Sequence, residues 1–249
     1  MARKMKLGVL MHTGGQHVAA WRHPDGNPAA GFDLAYYRRL AEIAERAKLD
    51  FLFVADVLGV RDGPVDILAR CPQLTFVVEP LTLMSALAMV TRNIGFIVTA
   101  STTYSQPYTV ARQMASLDLV SQGRAAWNVV TSTQDSEAVN FGLERPMDHS
   151  ERYARATEFV EVVRGLWDSA RPGLFIGDKE SGILFDAEKI REYRHDGRFF
   201  HLHGILNVPP SPQGRPLIVQ AGASGPGREL AASVAELIFA QAPTIEIGQ

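Results

Sequence analysis

One feature constrains this chain more than any other: short apolar runs alternate, again and again, with longer stretches of helical period. That rhythm belongs to repeated βα units whose strands pair in parallel. Strands are expected at Leu7 to Met11, Phe51 to Ala55, Ile94 to Thr99, Ala125 to Val130, Leu217 to Gln220 and Leu237 to Ala240. Helices are expected at Tyr36 to Lys48, Thr82 to Val90, Val110 to Val120, Glu151 to Trp167 and Gly227 to Val234. In the first, Tyr36, Leu40, Ile43, Ala44 and Ala47 share a face; in the fourth, Phe159, Val160, Val163 and Trp167 form an apolar stripe. The rhythm breaks over residues 169–215, which are rich in Gly, Pro, Arg and Asp. This stretch reads as an insertion before the fifth strand that covers an active site.

The length of 249 residues matches a minimal eight-fold barrel, yet only six strands are legible. A doubly wound open sheet would carry G-x-G-x-x-G after its first strand, where this chain has His12, Thr13, Gly14, Gly15 and Gln16. The expected fold is therefore α/β, a TIM (β/α)8-type barrel truncated after the sixth strand, with residues 1–249 as a single partial domain.

Composition narrows the partners. With 25 basic and 27 acidic residues the formal net charge is −2, which leaves no electrostatic footprint for nucleic acid or an anionic membrane. The lone Cys71 forbids an internal disulfide and fits the reducing cytoplasm. The apolar run after the basic start is broken by His12 and two glycines, so no signal peptide is expected, and no stretch is long and apolar enough for a membrane span.

In such barrels chemistry sits at the carboxyl ends of the strands. Strand two ends in Asp56, strand three in Thr99 and Ser101 to Tyr104, and strand four in Asn128 with Thr131 and Ser132. Three successive strands thus deliver polar groups to one rim. Asp148 and Glu151 have the spacing of an N-cap and capping box, while His149 and Tyr153, four apart, share the first helical turn beside its unpaired N–H groups. An anion would be welcome there. The loop from Gln220 to Arg228, with Gly222, Ser224, Gly225 and Gly227, is a second place where backbone amides could approach a phosphate; its order is not the dinucleotide fingerprint, which argues against a nicotinamide held by this chain. His195, His201 and His203 lack a partner at a metal-binding spacing, so no metal is expected. Cys71 has no His partner for nucleophilic chemistry, and there is no G-x-S-x-G elbow. His12, Trp21 and Arg22 read as rim residues near a substrate; Trp127 and Trp167 read as packing.

The segments WRHPDG (Trp21 to Gly26), FLFVAD (Phe51 to Asp56), EPLTLMSALAMVTRNIGFIVTASTTYSQPYTVARQMASLDLVSQGRAAWNVVTS (Glu79 to Ser132), NFG (Asn140 to Gly142), HSERYARATEFVEVVRGLWDS (His149 to Ser169) and SPQGRPLIVQAGASGPGRELAA (Ser211 to Ala232) resemble the nitrilotriacetate and dibenzothiophene-sulfone monooxygenase branch of the bacterial luciferase-like flavoproteins. The resemblance implies a two-component oxygenase that takes reduced FMN from a separate NAD(P)H-dependent flavin reductase. Through a flavin peroxide it inserts one atom of O₂ into a small organosulfur compound, aminopolycarboxylate or alkane. It also implies a homo-oligomer. Carried over, Asp56 and Thr102 match positions near the flavin ring, Asn128 lies alongside it, and His149, Tyr153 and Ser224 match the ribityl phosphate end. Two other readings stand beside it: a truncated, non-catalytic flavin-binding remnant, and a metal-dependent barrel hydrolase built on Asp56 and the histidines.

Overall fold

The structure is a computed structural model that describes residues 5–12, 14–71, 76–241 and 243–248; the basic start at 1–4 and Thr13 of the first loop lie outside the described residues. In chain order the elements are β1 (Gly8–Leu10), α1 (Leu34–Arg46), β2 (Phe51–Val54), α2 (Val65–Leu68), α3 (Pro80–Ala88), β3 (Gly95–Ser101), α4 (Pro107–Val120), β4 (Ala125–Val130), α5 (Asp135–Asn140) and α6 (His149–Trp167). There follow β5 (Phe175–Asp178), β6 (Ile183–Phe185), β7 (Tyr193–Asp196), β8 (His201–Gly204), β9 (Leu217–Gln220), α7 (Gly225–Val234), β10 (Leu237–Ile238) and α8 (Ile245–Gly248). All six expected strands form, and they pair in parallel in the order β1-β2-β3-β4-β9-β10. Among the described residues no helix is long and apolar enough to cross a membrane.

Side-chain alternation divides the sheet into two faces. Leu52, Val54, Phe96, Val98, Trp127, Val129 and Ile218 pack outward against the helices in one large core cluster. Phe53, Ile97, Ala126 and Val219 pack with Leu10, Phe51 and Leu237 on the inner face. That face is concave. Four strand spacings separate β2 from β10, about 19 Å in a flat sheet, yet the Phe53 ring meets Phe239, just beyond β10, with centroids 5.5 Å apart. Only a sheet curled into a barrel wall brings them together.

On the outer face Trp127 sits between Phe159 (5.9 Å) and Trp167 (6.3 Å) of α6. Its indole N–H donates to Ala100 O at 3.1 Å, and that of Trp167 donates to Ala111 O at 2.9 Å, so both rings are buried with their polar atom paired. The expected stripe of α6 is buried in full. Two local expectations are not fully met. Of the expected face of α1, Ala44 is buried and Leu40 packs against the core, but Tyr36 is only partly buried and Ile43 and Ala47 are exposed, while Tyr37 and Ala41 are buried beside Ala44. The capping box at α6 does not form: Asp148 makes no side-chain cap bond, and Glu151 instead takes two hydrogen bonds from Arg198 at 2.8 and 3.0 Å. One guanidinium nitrogen, Nη2, reaches both carboxylate oxygens, and a charged donor outcompetes one neutral backbone N–H.

Between α6 and β9 the chain forms two antiparallel pairs, β5–β6 and β7–β8. The second lies on α6, where Gly165 leaves room for the Tyr193 ring; a Cβ there would stand 2.2 Å from it.

Candidate active site

The inner face changes character along the strands. Its apolar layer of Phe53, Ile97, Ala126 and Val219 gives way toward the carboxyl ends to Thr99, Ser101, Asn128, Thr131 and Ser132, all buried. Buried polar groups must find partners, and most do so across strands. Thr99 Oγ1 donates to Val54 O at 2.9 Å and accepts from Asn128 Nδ2 at 3.0 Å. Ser101 Oγ and Ser132 Oγ are 2.8 Å apart. Asn128 Oδ1 is buried without a partner among the described residues, as are Tyr104 Oη, Gln134 Oε1 and Arg152 Nε.

Above this layer opens a cavity of about 280 Å³, lined by Asp56 and Val57 after β2, by residues 129–134 and Glu137 around the end of β4, by Tyr153 of α6, and by Gln220 to Gly222 after β9. Asp56 is half-buried. Burial pushes its carboxyl up to about 6; the Val57 N–H works against the rise and the nearby Glu79 and Glu137 carboxylates add to it. An acid in this range carries a proton over part of the physiological span.

The glycine loop closes the far wall. Ser224 caps α7, its Oγ accepting from Gly227 N at 3.3 Å. A Cβ on either Gly222 or Gly227 would stand 2.9 Å from the Tyr153 hydroxyl, so only glycine lets that hydroxyl reach the loop. The His149 ring lies 4.9 Å from that of Tyr153, at the start of α6. Two helix N-termini, of α6 and α7, therefore meet beside one end of the cavity, a setting that favours an anion.

The sequence-predicted residues are distributed accordingly. Asp56 and Tyr153 line the cavity; His149, against Tyr153, and Ser224, the cap of α7, do not line it, and Asn128 lies buried in the barrel interior. Thr102 is fully buried and extends the β3–β4 ladder, its N–H and Oγ1 both donating to Val130 O, at 2.9 and 3.1 Å. Trp21 lines a smaller cavity with Gly14, Asn27 and Phe76, and its Nε1 donates to Arg70 O at 3.1 Å. Arg22 is exposed and His12 half-buried. His195, His201 and His203 each meet a separate carboxylate, Glu158, Asp196 and Glu192.

Sequence reasoning missed Glu137, Gln134 and Arg152, and took Gln220 only as the start of the glycine loop. Glu137 follows Gln134 at capping-box spacing, the one signal that could have marked it. Arg152 sat in plain view inside the helix, but nothing local says that its Nη1 reaches Ser132 O at 2.7 Å.

Comparison with known proteins gives a consistent answer. The family described as luciferase-like monooxygenase matches residues 13–247. N-acetyl-S-(2-succino)cysteine monooxygenase of Bacillus subtilis (strain 168) is 51% identical over 99% of this chain and 55% of its own length. Nitrilotriacetate monooxygenase component A of Aminobacter aminovorans is 46% identical over 99% of this chain and 56% of its own. Among solved structures, long-chain alkane monooxygenase superposes with a TM-score of 0.92 at 40% identity, covering 99% of this chain and 58% of that one. Riboflavin lyase, solved with modified FMN and riboflavin, gives 0.90 at 35% identity, covering 98% of this chain and 56% of that one. The chain thus spans about half the length of the curated relatives it matches.

Proposed function

The chain belongs to the luciferase-like monooxygenase family, and from that premise we propose that its rim cavity holds reduced FMN for the oxygenation of a small carboxylated substrate by O₂. The observation that carries this reading is the pairing, in one cavity, of a phosphate-compatible end with a buried polar floor. At the first end the amides of the glycine loop, the Ser224 hydroxyl, the Tyr153 hydroxyl and His149 would hold a phosphate. At the second, Asp56 offers a carboxyl that holds a proton up to about pH 6, and in the barrel interior, outside the cavity lining, the unpartnered Oδ1 of Asn128 would be an acceptor for a ring N–H. Reduced FMN, once bound, supplies the electrons that activate O₂. The residues around it bind and orient, and the apolar layer of Phe53, Ile97, Ala126 and Val219 keeps water from the floor.

A separate NAD(P)H-dependent flavin reductase would supply the reduced flavin, in keeping with the missing dinucleotide fingerprint. For the substrate, two of these relatives are named for N-acetyl-S-(2-succino)cysteine and nitrilotriacetate, both of which carry several carboxylates. The exposed Arg22 and Arg61, in the loops after β1 and β2, are cations that could meet such a substrate. Arg198 is engaged by Glu151.

FMN titration followed by flavin fluorescence tests the site. His149→Ala combined with Ser224→Ala is expected to weaken binding at least about tenfold, the scale of lost charge-assisted hydrogen bonds; unchanged affinity would overturn the phosphate assignment. Turnover with a flavin reductase, NADH and O₂ tests the substrate class: carboxylated thioethers and amines should be consumed, and oxidation of alkanes or sulfones alone would contradict it.

A further inference from the structure

Helix α5, only six residues long, makes an unusual set of contacts with a loop far away in the sequence. Glu137, at 3% exposure, is among the most deeply buried charged residues described. Its Oε2 accepts from Thr133 N at 3.0 Å and Gln134 N at 3.1 Å, which serves the start of its own helix. Its Oε1 does something else: it accepts from the Ser132 hydroxyl at 2.9 Å and from the backbone N–H of Leu58, 79 residues away, at 3.0 Å. One turn along the same helix, Asn140 Nδ2 donates to Leu58 O at 3.0 Å. Leu58 is therefore gripped at both its N–H and its C=O by two side chains of one helix. Ser136 N adds a bond to Asp62 Oδ1 at 3.1 Å, and Gly59 lies so close that a Cβ would stand 3.1 Å from both Asn140 Nδ2 and Ser136 Oγ.

The other end of this arrangement is held as firmly. Ser132 has φ +46°, a left-handed conformation that a residue with a Cβ adopts only under constraint. Its carbonyl accepts from Arg152 Nη1 of α6 at 2.7 Å, and its hydroxyl lies against both Glu137 and Ser101. A carboxylate has acceptor sites for about four donors, and all four here are neutral N–H or O–H groups of the cavity wall or its immediate support.

We propose that α5 is a clamp for the flavin cavity, in which Glu137 and Asn140 are positioning residues that lock Leu58, and with it Asp56 two residues earlier, against the Ser132 to Gln134 wall. The clamp rests on the reading of this cavity as the flavin site. It explains why an irregular loop and a strained serine can form a defined wall: each lacks a backbone ladder of its own, and the side chains of α5 supply the missing partners.

The test uses amide hydrogen exchange and FMN titration on the same protein. Leu58 N–H, in a loop outside any strand, is expected to exchange at least about a hundredfold more slowly than an unprotected amide. Asn140 is exposed, so Asn140→Ala should fold with an unchanged unfolding midpoint, speed Leu58 exchange and weaken FMN binding about tenfold. Glu137→Gln, which keeps the shape but loses one acceptor, should do both more strongly. Leu58 exchanging like an exposed loop amide, or FMN affinity equal to wild type in both variants, overturns the clamp. Failure of the functional reading looks different: wild type then binds no FMN at all, while Leu58 is still protected in wild type and exposed in Asn140→Ala.

Discussion

Asp56 shows how much one residue can report. Its carboxyl is raised to about 6 from 3.8, first by burial, so the folded protein binds its proton more tightly than the unfolded chain does. The sign follows: the stability linked to this proton is fully present below the unfolded value near 3.8 and is lost as pH rises through about 6. Asp56→Asn should therefore stabilise the protein at pH 8 and not at pH 3.5. After a discount for solvent screening at a partly exposed group, the gain at pH 8 is about 1–2 kcal/mol. Urea unfolding at the two pH values measures it, and an equal effect at both would refute the linkage. The position of Asp56 just after an apolar strand was readable from the chain. Its raised pKa was not, because that depends first on burial in the folded protein and then on Glu79 and Glu137, which other elements bring near it.

Among the elements, α6 carries the most. Its apolar stripe could be read from a 3.6-residue period, which depends only on neighbours along the chain. The hairpin it supports could not. β7 and β8 are short and half exposed, so their alternation is too brief to stand out, and they are anchored by a polar residue of α6. Glu158 accepts from His195 Nε2 at 3.1 Å, from Phe199 N at 3.0 Å and from Phe200 N at 2.9 Å. Burial opposes its ionised form, but the bonds from His195, Phe200 and Phe199 win and hold the carboxyl below its ordinary value of 4.5. This stability is present above pH 4.5 and is lost as pH falls below it. Glu158→Ala leaves two backbone donors without their acceptor, a cost of about 1–3 kcal/mol. Limited proteolysis should then cut within residues 193–204 at neutral pH, and wild type should show the same cuts only under acid conditions. A resistant Glu158→Ala hairpin would show that the apolar contacts of Tyr193 and Phe200 suffice.

At the scale of the molecule the curled sheet has two outer strands, β1 and β10, each hydrogen-bonded on one side within the described sheet. Val9 is 37% exposed, Ile238 66% and Phe239 39%. Apolar strand edges of this kind recruit further strands. The 249-residue chain expressed alone should self-associate with rising concentration, and Ile238→Lys should reduce that in sedimentation velocity by charging the β10 edge. Association unaffected by the lysine would move the contact elsewhere.

The βα order, the six parallel strands, the polar rim at their carboxyl ends and the glycine loop before α7 are all legible in the chain. Each of these is written in periods of two or 3.6 residues or in turn chemistry, and both act between near neighbours. Packing between distant parts of the chain sets Glu151 on Arg198 instead of its own helix end, Thr102 in the ladder, and Glu137 on a loop 79 residues away. A polar group takes the best donor that reaches it, and which donors reach it is set by how elements distant in the sequence pack together.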